Sequence, residues 1–114
     1  MKIEKFEDLI SWQKAKETSL IVYKIFRSNK DYAFRDQIQR AVVSISNNIA
    51  EGFERRSNKE LIQFLYIAKG SCGESRSMLY LAKDLGYISK DEFDTLFNLL
   101  TEISRLLSGF IKKL

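Results

Sequence analysis

Residues 37–55 read QIQRAVVSISNNIAEGFER, and this stretch decides the fold. Wound at about 3.6 residues per turn, it carries two faces. Ile38, Val42, Ile45, Ile49 and Phe53 recur three and four apart, which is the stripe of a helix lying on a core. Gln37, Arg40, Ser44, Asn48 and Glu51 recur at the same spacings and form a second, polar stripe. A solvated face is usually richer in Lys and Glu. Two amides, a hydroxyl and one charge of each sign instead predict a polar seam, in which Arg40 and Glu51 find partners on neighbouring helices.

Outward from this stretch the helical period continues. The helix that holds it is predicted from about Ala33 to Arg56, entered from a connection at Ser28-Asn-Lys-Asp31. A first helix is predicted from about Glu7 to Arg27, with Glu7 and Asp8 in a first turn where carboxylates oppose the positive end of the dipole. Leu9, Trp12, Ala15, Val22, Tyr23 and Phe26 give it a broad apolar side. Ser57-Asn-Lys-Glu60 is a capping box that opens a third helix running to Leu85, with Gly86 as a left-handed stop. Ser89-Lys-Asp-Glu92 is a second box and opens a fourth helix. On the third, Leu61, Leu65, Ala68, Cys72, Ser75, Leu79 and Ala82 step by three and four; on the fourth, Phe93, Leu96, Leu100, Ile103, Leu107, Phe110 and Leu114 do the same. Four amphipathic helices with short connections predict an all-α fold, an antiparallel up-down four-helix bundle in one domain spanning residues 1–114.

Composition agrees. Zero Pro and only five Gly in 114 residues leave nothing to break long helices and too few turn residues for an all-β chain. A hydrophobic fraction of 45% with 30% charge is that of a folded, soluble domain. The net charge of +4 is mildly basic, and +3 of it falls in residues 1–30, with seven cations against four carboxylates. That balance is compatible with an anionic partner. A single cysteine, Cys72, cannot form an internal disulfide, which fits a reducing cytoplasm. No run approaches the ~20 apolar residues of a membrane span, and the first residues lack a signal-like apolar segment.

The third and fourth helices carry more apolar surface than a lone bundle uses. Beside its main stripe the third has Phe64, Ile67, Ser71, Met78, Leu81 and Leu85; the fourth adds Leu99 and Leu106. A helix packed only on its own bundle needs an apolar sector of about 100° or slightly more. The surplus predicts an exposed patch of the kind that marks an interface. Gly70 and Gly73, in mid-helix, each cost about 1 kcal/mol relative to Ala. Close approach of another backbone explains that cost. A homo-oligomer is expected, with Phe64, Ile67, Gly70, Gly73, Leu99 and Leu106 at its interface.

The pattern resembles a known family, the small four helix bundle proteins first described from reading frames in intervening sequences of bacterial 23S ribosomal RNA genes. The resemblance rests on Asp8-Leu9 with Trp12-Gln-Lys-Ala15, on Gln37-Ile38, Arg40-Ala41 and Ser44-Ile45, and on Asn48-Ile-Ala-Glu-Gly52 with Arg55. It continues through Phe64-Leu65, Ile67-Ala68, Gly70-Ser71, Glu74, Leu79, Leu81-Ala82 and Leu85-Gly-Tyr-Ile88, so it covers about Phe6 to Phe110. It implies a four-helix bundle assembled as a ring, typically a homopentamer. A related branch, which includes the accessory protein of diversity-generating retroelements, is similar in fold and binds a reverse transcriptase and RNA through a basic surface. The resemblance therefore extends the candidate partners to RNA or single-stranded DNA and to a reverse transcriptase.

The chemistry the chain can support is narrow. Without histidine there is no Ser-His or Cys-His nucleophile and no Glu-x-x-His pair for a di-iron bundle. One thiol cannot hold zinc, and there is no Gly-x-x-x-x-Gly-Lys phosphate loop. No metal or cofactor is expected. Glu51 and Glu74, if both point inward, are an acid–base pair in principle; the plainer reading is that each accepts hydrogen bonds from Arg40, Asn48 or backbone, since buried charges are normally paired. An enzyme is not expected. The strongest functional signal lies on the third helix, where Tyr66, Lys69, Arg76, Tyr80 and Lys83 follow one another at spacings of three, seven, four and three, with Gly73 in the same line. Cations take phosphates and tyrosines stack on unpaired bases, so the line is a candidate RNA or single-stranded DNA track. The plainer alternative is an outer face of solvated lysines whose tyrosines half-bury at a subunit contact. Arg55 and Arg56, beside Lys59, are a second basic cluster at a helix junction and join the candidate nucleic-acid-binding residues; the plainer reading is a solvated corner. Trp12 reads as core or interface packing, and Cys72 as a small buried apolar group.

Overall fold

The stripe at Ile38, Val42, Ile45 and Ile49 is sealed from solvent, and the chain is built around it. The computed structural model describes residues 3–114. Among the described residues every regular element is helical: a 3₁₀ turn at Phe6–Asp8, then α1 (Ile10–Phe26), α2 (Tyr32–Phe53), α3 (Asn58–Asp84) and α4 (Lys90–Lys112). Together they make a four-helix bundle in which each helix packs on the next and α1 closes against α4. At about 1.5 Å per residue, the 27 residues of α3 account for nearly all of the 42 Å long axis.

The main stripes of α3 and α4 are buried throughout their central turns, with Leu65, Cys72, Leu96, Leu100, Ile103 and Leu107 essentially inaccessible. On α1 the inward face is Ser11, Ala15, Thr18, Val22 and Phe26. Tyr23, expected on that face, stands outside, and Thr18 takes a core position by donating its hydroxyl to the Lys14 carbonyl at 2.8 Å. That back-bond satisfies the one polar atom Thr18 brings inside.

The helix ends depart from expectation where side chains redirect the backbone. Leu9 turns into the core with extended dihedrals, so Glu7 and Asp8 fall in the 3₁₀ turn and α1 begins only at Ile10. Asp31, read as connection, is the N-cap of α2: its carboxylate accepts the Phe34 N–H at 3.2 Å and the Tyr87 hydroxyl at 2.6 Å. Helix α2 stops at Phe53, so Arg55 and Arg56 lie in the bend before α3. The Ser89 box is complete in both directions. The Ser57 box is half-formed: Ser57 Oγ accepts the Glu60 N–H at 3.2 Å, but the Glu60 carboxylate takes the Ser57 hydroxyl instead of its N–H and leans toward Arg55, 3.9 Å away. At the far end of α3, Gly86 sits at φ 76°, with the Tyr87 N–H on the Ala82 carbonyl and the Gly86 N–H on that of Lys83. That is the paired-bond stop that favours glycine. No helix among the described residues is long and apolar enough to cross a membrane.

Candidate nucleic-acid and assembly surface of the third helix

Helix α3 buries one side and leaves the other in solvent. On its outward side Ile67, Leu81 and Leu85 are about half exposed, at 52%, 52% and 49%. The second apolar stripe predicted for this helix is therefore split, since Ser71 and Met78 turn inward and Phe64 is half-buried. Leu99 and Leu106 on α4 are half-buried. A side chain at Gly70 would meet nothing within 4 Å, and one at Gly73 would meet only the end of Arg76 at 3.9 Å. Neither glycine is required by packing inside the chain.

Along the edge of this face nearest α4 run the residues of the candidate track. Tyr66 and Tyr80 are exposed, at 57% and 54%. The Tyr80 ring leans on Phe93 and Phe97, with centroids 5.2 and 5.5 Å away, which leaves its outer face open for stacking. The cations are held differently from one another. The Lys69 ammonium donates to the Ser108 hydroxyl on α4. The Lys83 ammonium lies 4.7 Å above the Phe93 ring. Arg76 is half-buried, its Nε is out of reach of solvent, and it makes no hydrogen bond or ion pair among the described residues. Arg55, by contrast, is occupied: it stacks at 4.8 Å on Phe64, pairs with Glu51 at 2.7 Å and lies near Glu60. Arg56 is exposed in the bend beside it.

The polar seam forms over part of its predicted length. Ser44 and Ser71 share a hydroxyl–hydroxyl bond at 2.9 Å between α2 and α3, and Asn48 donates to Ser44 Oγ at 2.9 Å and to the Ser44 carbonyl at 2.7 Å. Ser75 extends the ladder by donating to the Ser71 carbonyl, and Gln37 reaches Glu74 at 3.5 Å. Arg40 and Glu51 do not join it. Both are exposed; Glu51 turns to Arg55, and Arg40 has no partner among the described residues. At about 100° per residue they are the stripe positions farthest round α2 from the buried Ile38, Val42, Ile45 and Ile49, so their side chains meet water and not the neighbouring helix. Glu51 and Glu74 are also both at the surface, so the inward-facing condition for an acid–base pair is not met.

Cys72 is fully buried in the α3 stripe, and desolvation pushes its thiol up to about 12 against the weaker opposite pull of Arg76 and Lys69. Trp12 is half-buried against the edge of Phe6 at 5.2 Å. Two features were not legible as special positions. Gly52 lies where α2 meets α3, and a Cβ there would come within 2.6 Å of the Phe64 Cβ and 3.2 Å of Leu61. The bond from Tyr87 ties the end of α3 to the start of α2 and, with the Phe34 N–H, lowers the Asp31 carboxyl below its ordinary value.

Known proteins place this architecture in context. The sequence profile of the 23S rRNA-intervening sequence protein family matches residues 7–109. A crystal structure of a protein with unknown function from the S23 ribosomal protein family of Bacteroides thetaiotaomicron VPI-5482 is similar, with 29% sequence identity and a TM-score of 0.84. The similarity covers 90% of this chain and 99% of that one. No curated protein shows significant sequence similarity to the chain.

Proposed function

The chain belongs to the 23S rRNA-intervening sequence protein family, and from that premise we propose a non-enzymatic accessory protein that binds RNA or single-stranded DNA along α3. In this reading Tyr66 and Tyr80 stack on unpaired bases while Lys69, Arg76 and Lys83 take phosphates. The observation that carries it is the combination on one helix edge of two open tyrosine faces and the half-buried guanidinium of Arg76, which has no partner among the described residues. A half-buried cation without a counter-charge is an invitation to an anion.

The same reading has the chain assemble as a ring-shaped homo-oligomer, a pentamer by family likeness. Exposed Ile67, one turn from a bare Gly70, with exposed Leu81 and Leu85 further along α3 and at its end, supports a contact with a second copy on the adjoining strip of α3. Repetition around a ring multiplies a net charge of +4 per chain, so a modest basic excess sums to a field that attracts polyanions. Short connections, with each helix packed on the next, support an antiparallel up-down course for the bundle. A reverse transcriptase is the partner enzyme this role would serve.

Binding to structured and single-stranded RNA over a salt series tests the first part. Affinity is expected to fall steeply with salt and to weaken when Lys69, Arg76 and Lys83 are changed together to Glu. No binding at low salt removes the nucleic-acid role. The apolar strip of Ile67, Leu81 and Leu85 then favours the second reading, a purely structural assembly module that presents a protein-binding surface. Light scattering coupled to size exclusion tests assembly: a monomer at micromolar concentration excludes the ring.

A further inference from the structure

A cleft of about 720 Å³ opens at the end of the bundle where the bend between α2 and α3 faces the last turns of α4. That volume lies within the range of roughly 300–1,000 Å³ typical of small-molecule sites. Its floor is apolar, with Phe53 and Leu61 on one side and Leu106 and Phe110 on the other. Its rim is cationic: Arg56, Arg105 and Lys113 line it, all three are exposed, and none forms an ion pair among the described residues. No Asp or Glu side chain lines it. Arg55, the fourth cation there, is already held by Glu51.

The wall contains a glycine that the fold does not require. Gly109 lies in α4, and a Cβ built on it would meet nothing within 4 Å. Helix propensity disfavours glycine by about 1 kcal/mol against alanine in a helix interior. Its lack of a side chain leaves the cleft open. An apolar floor beneath unpaired cations selects for one chemistry, an apolar body that ends in an anion. A nucleic-acid backbone gains little from burying Leu61 and Leu106, and the lining offers only Ser57 and Asn58 as neutral polar side chains to read a base edge.

We propose that this cleft binds a small amphipathic anion, an acyl-type chain lying on Phe53, Leu61, Leu106 and Phe110 with its carboxylate among Arg56, Arg105 and Lys113. Binding here does not depend on the Tyr66–Tyr80 track of α3, which contributes nothing to the lining; of the candidate nucleic-acid residues only Arg55 and Arg56 reach it. The test is calorimetric titration of the full chain with decanoate, decanol, inorganic phosphate and uridine monophosphate. Saturable binding of one decanoate per chain is expected. Decanol should bind at least about tenfold more weakly, and the Arg56→Ala/Arg105→Ala double variant should lose a similar factor for decanoate, since charge-assisted contacts are removed in both cases. Gly109→Leu adds a side chain on the cleft wall and should weaken decanoate binding at least about threefold while the thermal midpoint stays at or above that of the parent. Three outcomes overturn the proposal: no saturable binding to the folded parent, decanoate affinity unchanged by both Gly109→Leu and the double Arg variant, or phosphate or uridine monophosphate binding as tightly as decanoate.

Discussion

Gly52 and Gly70 stand on adjacent helices and are opposites. At Gly52 the backbones of α2 and α3 come so close that a single methyl group would strike Phe64 at 2.6 Å. At Gly70 the same methyl group would meet nothing within 4 Å. The first glycine is explained by the packing of this chain; the second is not, although it carries the same conformational cost in a helix. The contrast extends to their surroundings. Around Gly52 lie buried Leu61 and half-buried Phe64, both packed against it. One turn from Gly70 lies half-exposed Ile67, and half-exposed Leu81 continues that side of α3 about three turns further on. One side of α3 is finished by its own chain, and the other is left as if for a second molecule.

The largest test of this division compares Leu65 with Ile67. Leu65 is fully buried on the inner side, so Leu65→Ala should destabilise by about 2–5 kcal/mol through lost transfer energy and a cavity. Ile67→Ala, two residues away, should cost a dilute monomer less than about 0.5 kcal/mol. Chemical denaturation at several protein concentrations reads both. If Ile67→Ala becomes costly only at high concentration, the outer face is a contact between copies.

Next is the seam. Asn48→Leu removes the two bonds to Ser44 and leaves its hydroxyl with Ser71 alone and its carbonyl with the helical N–H alone, which should cost about 1–3 kcal/mol. Gly52→Ala should follow at about 1–2 kcal/mol, because the overpacking penalty exceeds the gain in helix propensity. A neutral or stabilising Gly52→Ala would show that α2 and α3 separate easily, and the contrast with Gly70 would lose its meaning.

How much of this was legible in the sequence follows from what periodicity can carry. The spacing of Ile38, Val42, Ile45 and Ile49 gives the direction in which a helix faces its core, and the buried stripes of α2, α3 and α4 obey it. Periodicity does not say how wide an arc the neighbour covers. That width decided that Ser44 and Asn48 join the seam while Arg40 and Glu51 remain in water, and that Met78 is buried while Leu81 is not. Helix ends are less legible, because Leu9 and Asp31 are set by tertiary partners, the core and Tyr87, that lie far off in sequence. The importance of Gly52 depends on where two helices touch, which no spacing within one helix encodes. On the candidate track, the positions of Tyr66 and Tyr80 were legible, but not the engagement of Lys69 by Ser108 or of Arg55 by Glu51.

Gly70→Ala should have a smaller effect, with inverted sign. In an isolated chain the substitution is sterically free and should stabilise by up to about 1 kcal/mol. In an assembly that uses Gly70 for close backbone approach, the same methyl group should weaken association, so the thermal midpoint would rise at low concentration and the oligomer would dissociate more readily. A gain in stability with no change in assembly would place the contact elsewhere.

Arg40→Met is the smallest effect and the most discriminating control. The Ser44–Asn48 seam begins one turn after Arg40, yet its guanidinium is solvated and without a partner among the described residues. Methionine keeps most of the apolar stem and removes only a hydrated charge, so stability should change by less than about 0.5 kcal/mol. A seam in which Arg40 is paired with a neighbouring helix, as its place in the polar stripe predicts, would instead make the loss about 1–3 kcal/mol. A loss of that size in concentrated protein that vanishes on dilution would mean that Arg40 finds its counter-charge on another copy, and the polar stripe of α2 would then belong to the assembly as well as to the chain.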